Sequence, residues 1–321
     1  MEKVKQRRLI TPTSGLVFGI LAASTASIFI RFAQQGGAPS IVIAAYRLTL
    51  ATIILAPIAL SRRMQELKSL DRRQISLMIL SGIFLGFHFA TWVSSLEFTS
   101  VPSSAVLVTT SPLWVALLSP VFLKERIRKM VGVGLVIALV GSVIVAGSGT
   151  CRFTAAGLDC KSISQAFEGK SMLGNGLAFA GAWFAAFYLI IGRKVRGGLS
   201  LLTYTFVVYG TAALTLLIMV AISGESLVGY SPTTNLFFLA LAIIPQLFGH
   251  SSFNWALKFI PAALVSIVLL GEPISSTILA FLILKEPPTV LEGLGGILIL
   301  IGIYLATSNW EQKKVLTAVL D

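Results

Sequence analysis

The chain has 321 residues, 55% of them hydrophobic and only 12% charged, with a formal net charge of +12. That balance excludes an ordinary soluble globular protein. The positive excess needs no nucleic-acid partner, because membrane proteins concentrate Lys and Arg in their cytoplasmic loops.

Apolar runs of about 20 residues, the length that crosses ~30 Å of hydrocarbon as a helix, recur along the whole chain. They predict ten membrane helices, near 12–34, 41–60, 74–98, 103–122, 130–148, 172–192, 201–222, 236–258, 262–283 and 289–308. The first has a span's length and no convincing small-residue cleavage site after it, so it reads as a span and not a cleavable signal. Arg31, at its outer end, reads as a snorkelling residue. The second span carries Arg47 in its outer half. This intramembrane cation can pair with a carboxylate, hold a substrate carboxylate, or anchor the helix through neighbouring carbonyls; the anchoring role is the preferred one.

In the third span, His88, Thr91, Trp92 and Ser95 share one helical face. The fourth span holds Ser111-Pro112, where proline removes an amide donor and weakens the helix. The fifth carries a stripe of Gly132, Gly134 and Gly141, which lets helices approach closely in lipid. The outer loop that follows holds the only two cysteines, Cys151 and Cys160. An oxidising exterior would allow them to form a disulfide, and their spacing fits no metal site. Trp183 and Tyr188 in the sixth span are further pocket candidates. In the eighth span, Gln246, His250, Phe253 and Asn254 share a face. The ninth holds Glu272 near its middle, between Gly271 and Pro273. An ionised carboxylate there costs about 2.5–3.5 kcal/mol on insertion scales, so a functional role is expected. The tenth span repeats the glycine stripe at Gly293, Gly295, Gly296 and Gly302.

Two patterns organise these elements. Residues 88–147 repeat without gaps at 249–308, at an offset of 161: Phe87 falls on Phe248, Pro112 on Pro273, Leu123-Lys124-Glu125 on Leu284-Lys285-Glu286, and Gly134 on Gly295. An odd number of spans separates the copies, so the halves are expected to lie inverted. That arrangement places a substrate site near the bilayer midplane, where paired helix breaks point to it. The basic residues give the orientation. Alternate loops hold nineteen of the 25 Lys and Arg, the opposite loops hold Arg152, Lys161, Lys170 and Lys285, and Arg31 and Arg47 lie within spans. Both termini are therefore expected in the cytoplasm, in a multi-pass protein of the plasma membrane.

The proline-containing helices that end in Lys124-Glu125 and Lys285-Glu286, together with Ala45-Tyr46-Arg47-Leu48, Ser111-Pro112-Leu113-Trp114 and Gly271-Glu272-Pro273, resemble the paired EamA domains of the drug/metabolite transporter superfamily. The resemblance covers about 13–148 and 172–308. It implies alternating-access transport of a small metabolite, often an amino acid or a related compound. His88 sits where some relatives that export aromatic amino acids carry a pocket histidine.

The expected fold is thus an all-α integral membrane protein of ten transmembrane helices in two inverted five-helix repeats, 12–148 and 172–308. The expected function is secondary transport of a small organic solute, with no cofactor and no metal, as a monomer or homodimer among membrane lipids. Proton coupling would run through Glu272 or His88. A membrane enzyme or a channel using the same cavity is the alternative. Against the enzyme, there is no Gly-rich phosphate loop, no His-Glu-x-x-His and no nucleophile elbow. His88, His250 and Glu272 are scattered over three helices without metal-site spacing. Against the channel, no ring of charges or repeated filter appears.

Overall fold

A computed structural model of the chain describes residues 12–98, 104, 107–147, 151–154, 157–160, 170–284 and 290–320, with backbone alone at several of them, including 145–171, 273 and 307–320. The elements run α1 (Pro12–Ala23), α2 (Ala26–Gln35), α3 (Ser40–Lys68), α4 (Arg72–Phe98), α5 (Ser111–Phe122), α6 (Lys129–Gly147), β1 (Cys151–Thr154), β2 (Gly157–Cys160), α7 (Lys170–Arg196), α8 (Leu201–Ser223) and α9 (Pro232–Leu241). A π-helical segment (Ala242–His250) joins α9 to α10 (Ser251–Ala256). Then follow α11 (Ala262–Val268), a 3₁₀ turn (Leu269–Gly271), α12 (Glu272–Leu284) and α13 (Val290–Leu320).

Among the described residues, seven helical segments are long and apolar enough to cross a membrane: Pro12–Gln35, Ser40–Lys68, Arg72–Phe98, Met172–Arg196, Leu201–Ser223, Pro232–Ala256 and Ala262–Ile283. Three shorter apolar helices, Ser111–Phe122, Lys129–Ile144 and Gly293–Ala306, fall at the remaining expected positions. The helix of the second expected span is longer than its apolar run and carries on to Lys68. Burial runs opposite to that of a soluble protein. Ile222 is 81% exposed and Val121 73%, while Arg47 is 2% exposed and Arg196 1%. Apolar surface of this extent is stable against hydrocarbon, where buried charges must find partners inside the protein.

Local chemistry sets the helix ends. Ser200 and Ser231 cap α8 and α9 by accepting from the backbone N–H of Thr203 and Thr234. Gly224 ends α8 at a φ of 73°, the left-handed conformation that costs glycine least.

The helices pack in exchanged pairs. α6 lies along α13 and α3 along α8, while α4 packs on α7 as α1 packs on the π-helical segment and α10. The repeat offset exchanges the two members within each of the first two pairs, and it turns the α4–α7 pair into the packing of α1 on the π-helical segment and α10. The glycine stripes show the same exchange. A Cβ on Gly134 would collide with the carbonyl oxygen of Gly302, and one on Gly302 would come 2.5 Å from the carbonyl oxygen of Gly134. One on Gly141 would come 2.6 Å from the carbonyl oxygen of Gly295. The stripes therefore close α6 on α13 within one chain. Gly132 and Gly293, in the same stripes, meet nothing within 4 Å.

Among the described residues, the segment between α6 and α7 departs from an all-helical chain, in the β1–β2 hairpin. Its antiparallel register sets the backbone of Cys151 directly opposite that of Cys160; their side chains lie outside the described ones. Residues facing each other across such a ladder come near enough for a disulfide. We expect Cys151 and Cys160 to be linked in non-reduced protein, and their replacement to disturb loop order more than transport. Closing so short a loop adds about 3 kcal/mol or less through the unfolded chain. Mass spectrometry of non-reduced protein that finds both thiols free refutes the pairing.

Candidate functional site

The interior holds two polar layers between the halves, and they differ in whether their hydrogen bonds are met. The first centres on Phe89, a fully buried residue of α4. The Arg47 guanidinium lies 4.3 Å from the Phe89 ring centroid. The His88 and His250 rings stand 5.0 and 5.2 Å from it. His88 also lies parallel to Trp92, and His250 sits edge-on to Phe253. Arg47 Nε donates to Gln246 Oε1 at 2.7 Å, a bond between residues 199 apart in sequence and on opposite halves. It is this amide, and not a neighbouring carbonyl, that holds Arg47.

Two buried polar atoms of this layer have no partner, Gln246 Nε2 and His250 Nδ1. Leaving a buried donor unmet costs about 1–3 kcal/mol, so such a pair is unlike a passive core. Both residues stand in the π-helical segment, which also contains Pro245. π-helical turns are rare, and they frequently stand at functional sites. His88 is held differently. Its Nδ1 lies 2.9 Å from the Gly181 carbonyl oxygen. The nitrogen must be the donor there, which leaves Nε2 of the neutral ring as an acceptor.

The second layer lies nearer the end that carries the basic loops, and its groups satisfy each other. Tyr188 Oη donates to Asn254 Oδ1 at 2.8 Å, and Asn254 Nδ2 donates to Tyr209 Oη at 3.3 Å. Tyr209 Oη meets Ser251 Oγ, and Ser81 Oγ meets Tyr204 Oη at 2.8 Å. Further toward that end, Arg196 donates to the carbonyls of Asn254 and Leu199. Arg193 bridges Glu125 at 2.7 Å and the Leu257 carbonyl at 2.7 Å. The Glu66 carboxylate accepts from Ser200 N, Ser200 Oγ and Thr203 Oγ1 at the start of α8. That capping holds the Glu66 carboxyl below its ordinary range even though burial opposes it. The halves are thus tied together below the unsatisfied layer.

A helix break of the second half lies beside it, against the turn between α1 and α2. The 3₁₀ turn Leu269–Gly271 interrupts the helix immediately before Glu272. A turn at Ser24–Thr25 separates α1 from α2, and Ser24 Oγ reaches the Glu272 carbonyl at 3.2 Å while Ser276 Oγ donates to the Ser24 carbonyl. The corresponding break in the first half is the turn at Thr109–Thr110, followed by Ser111 and the buried Pro112. Pro273 follows Glu272 in α12, its side chain outside the described ones. Among the described residues no ion pair joins Glu272 to Arg47, whose Nε is taken by Gln246.

Of the residues singled out in sequence, Arg47, His88, Trp92, Gln246 and His250 meet in the first layer, while Gly271, at the break before Glu272, faces Ile20 and Ile303. Tyr188 and Asn254 belong to the satisfied second layer. Thr91 bonds back to the Phe87 carbonyl and packs against Gly181. Trp183 stacks on Trp114 at 4.3 Å in a seam between α5 and α7, apart from both histidines. Sequence reasoning missed Phe89, the hub of the first layer, and Tyr204, Tyr209 and Ser81 in the second. A lone Phe gives no signal. The tyrosines do stand out as polar tips inside apolar runs.

The EamA-like transporter family model matches residues 13–147 and 172–308. An uncharacterized transporter of Archaeoglobus fulgidus is 26% identical over 272 residues, covering 84% of this chain and 88% of that protein. The uncharacterized transporter YdfC of Bacillus subtilis is 24% identical over 291 residues, covering 90% and 87%. A solved crystal structure superposes with a TM-score of 0.72 over 94% of this chain and 99% of that one, at 21% identity, a likeness of fold alone. On the two matched segments, which span nearly its whole length, the chain belongs to the EamA-like transporter family.

Proposed function

We propose that this multi-pass membrane protein is a secondary transporter that moves a small organic metabolite across the plasma membrane by alternating access. The solute class includes amino acids and related amphipathic compounds. One observation carries the reading: a buried polar layer with unmet hydrogen bonds lies between the two halves, and each half has a broken helix at the repeat-equivalent position. A passive core would have satisfied Gln246 Nε2 and His250 Nδ1, as the tyrosine layer beneath satisfies its own groups. Broken helices at a repeat interface are how carriers place a solute at the midplane.

The same reading takes the ten apolar segments as spans in two inverted repeats. The exchanged helix pairs and the reciprocal contact of Gly134 with Gly302 support a two-fold relation between the halves. The satisfied layer, with Arg193–Glu125 and Glu66–Ser200 beyond it, then closes the cytoplasmic side. Purified protein in liposomes tests the function. Saturable counterflow of a solute supports a carrier, unsaturable flux a channel, and chemical conversion of the solute an enzyme.

The orientation has its own test. Single cysteines at 225–233 should react with an impermeant thiol reagent outside intact cells. Those at 64–70 and 313 should be shielded. Labelling of 64–70 from outside reverses the orientation.

A further inference from the structure

The unmet groups of the central layer differ in what they can accept, and on the transporter reading above that difference narrows the substrate. Arg47 has donors only, so the Gln246 atom facing its Nε must be the amide oxygen. The Gln246 Nε2 is thereby fixed as a donor directed elsewhere, on a residue with no exposed surface and with no acceptor in reach. Phe89 covers one face of the guanidinium and Gln246 occupies Nε, which leaves the edge formed by the two Nη groups. Glu272 does not close that edge, since no ion pair joins it to Arg47. His250 Nδ1 is unpartnered beside the same Phe89 ring and donates in the tautomer that places its proton there.

The groups around Phe89 thus offer donors at Arg47, Gln246 and His250, one of them a permanent cation, against one neutral acceptor at His88 Nε2, with the Glu272 carboxylate to the side and unpaired with Arg47. We propose that this layer binds the carboxylate of an organic acid, with Arg47 and Gln246 Nε2 as its principal donors and His250 Nδ1 as a third. The Phe89, Trp92 and Phe253 rings beside it suit an apolar or planar remainder. A lipophilic cation lacking an acidic group would meet Arg47 as a like charge in a medium of low dielectric, and it would satisfy none of the donors. A planar two-oxygen anion matches a guanidinium edge as a point charge does not.

The test uses the full chain in liposomes with acetate, hexanoate, benzoate and 3-phenylpropanoate, each beside its primary amide and its primary amine. We expect saturable exchange for at least one acid and none for its amide or amine. Gln246→Glu supplies Arg47 with an internal carboxylate and replaces the free donor by an acceptor. It should raise the half-saturating acid concentration at least tenfold while the protein stays monodisperse. Arg47→Lys keeps the charge without the planar fork and should weaken the same acid, which covers the case in which Gln246→Glu fails to fold. Exchange of an amine or amide as readily as its acid overturns the proposal and leaves transport standing. So does acid exchange indifferent to both substitutions. Failure of every compound to exchange saturably overturns the carboxylate site, while the transport reading falls only if the counterflow test above also finds no solute.

Discussion

Gly302→Leu and Gly134→Leu should each destabilise the protein more than any other single change considered. A Cβ at either glycine meets the backbone of the facing helix, and at Gly302 it also comes 2.7 Å from both the backbone nitrogen and the Cβ of Ala138. Backbone cannot rotate aside as a long side chain can, so α6 and α13 must separate. Ordinary overpacking costs about 1–3 kcal/mol, and separation of two helices along a shared seam should exceed that range. Gly132→Leu and Gly293→Leu lie in the same helices but meet nothing within 4 Å, so they should be nearly silent. Thermal unfolding in detergent, followed by size exclusion, compares the two pairs. Equal loss in both would mean that the seam does not depend on these glycines.

Glu272→Gln should reduce net transport to background with little effect on abundance. Glu272 is a carboxylate inside an apolar span, on the half that also holds Arg47 through Gln246. It sits where the helix restarts after a 3₁₀ turn, its carbonyl bonded by Ser24 of the first half. Glutamine keeps the shape but loses both charge and titration. If Glu272 balances Arg47 or carries a proton during the cycle, the exchange of an empty and a loaded site fails. If it serves packing alone, the amide is nearly silent, because it occupies the same volume and can make the same neutral hydrogen bonds. Wild-type flux with unchanged pH dependence in this variant removes Glu272 from the transport cycle.

The features that sequence made legible are those governed by local rules. Hydrophobic length marks the helices, proline and glycine mark the breaks at Ser111-Pro112 and Gly271-Glu272, and small residues mark the α6–α13 seam. The features it left open depend on rotation about a helix axis and on contacts between distant residues. Gly132 and Gly134 look alike in the stripe, yet only the latter faces its partner helix. The bond from Arg47 to Gln246 spans 199 residues, and no local pattern announces it. Around Gln246 and His250 the chain follows a π-helix, so an α-helical face drawn through 246, 250, 253 and 254 joins residues of two different layers.

Arg196 shows the limit of reading charge alone. It counts among the basic residues of a loop expected in the cytoplasm, yet it is 1% exposed and bonded to the Asn254 and Leu199 carbonyls. Tyr46 and Tyr209 fall near each other when the halves are aligned, but their roles differ. Tyr46 stacks on Phe238 at 4.4 Å and donates to the Leu227 carbonyl, while Tyr209 is buried in the satisfied layer with Ser251 and Asn254. The repeat fixes where helices lie, and each half then specialises its side chains.

Alternating access around the central layer is most directly tested by the reactivity of one residue from two sides. His250→Cys, in protein with Cys151 and Cys160 replaced by serine, places a single thiol among Phe89, Phe253 and Gln246. An impermeant thiol reagent is applied from outside or trapped inside vesicles of uniform orientation. The account predicts labelling from each side in turn, with a transported solute slowing both reactions. A thiol that reacts from one side alone, with or without solute, contradicts it.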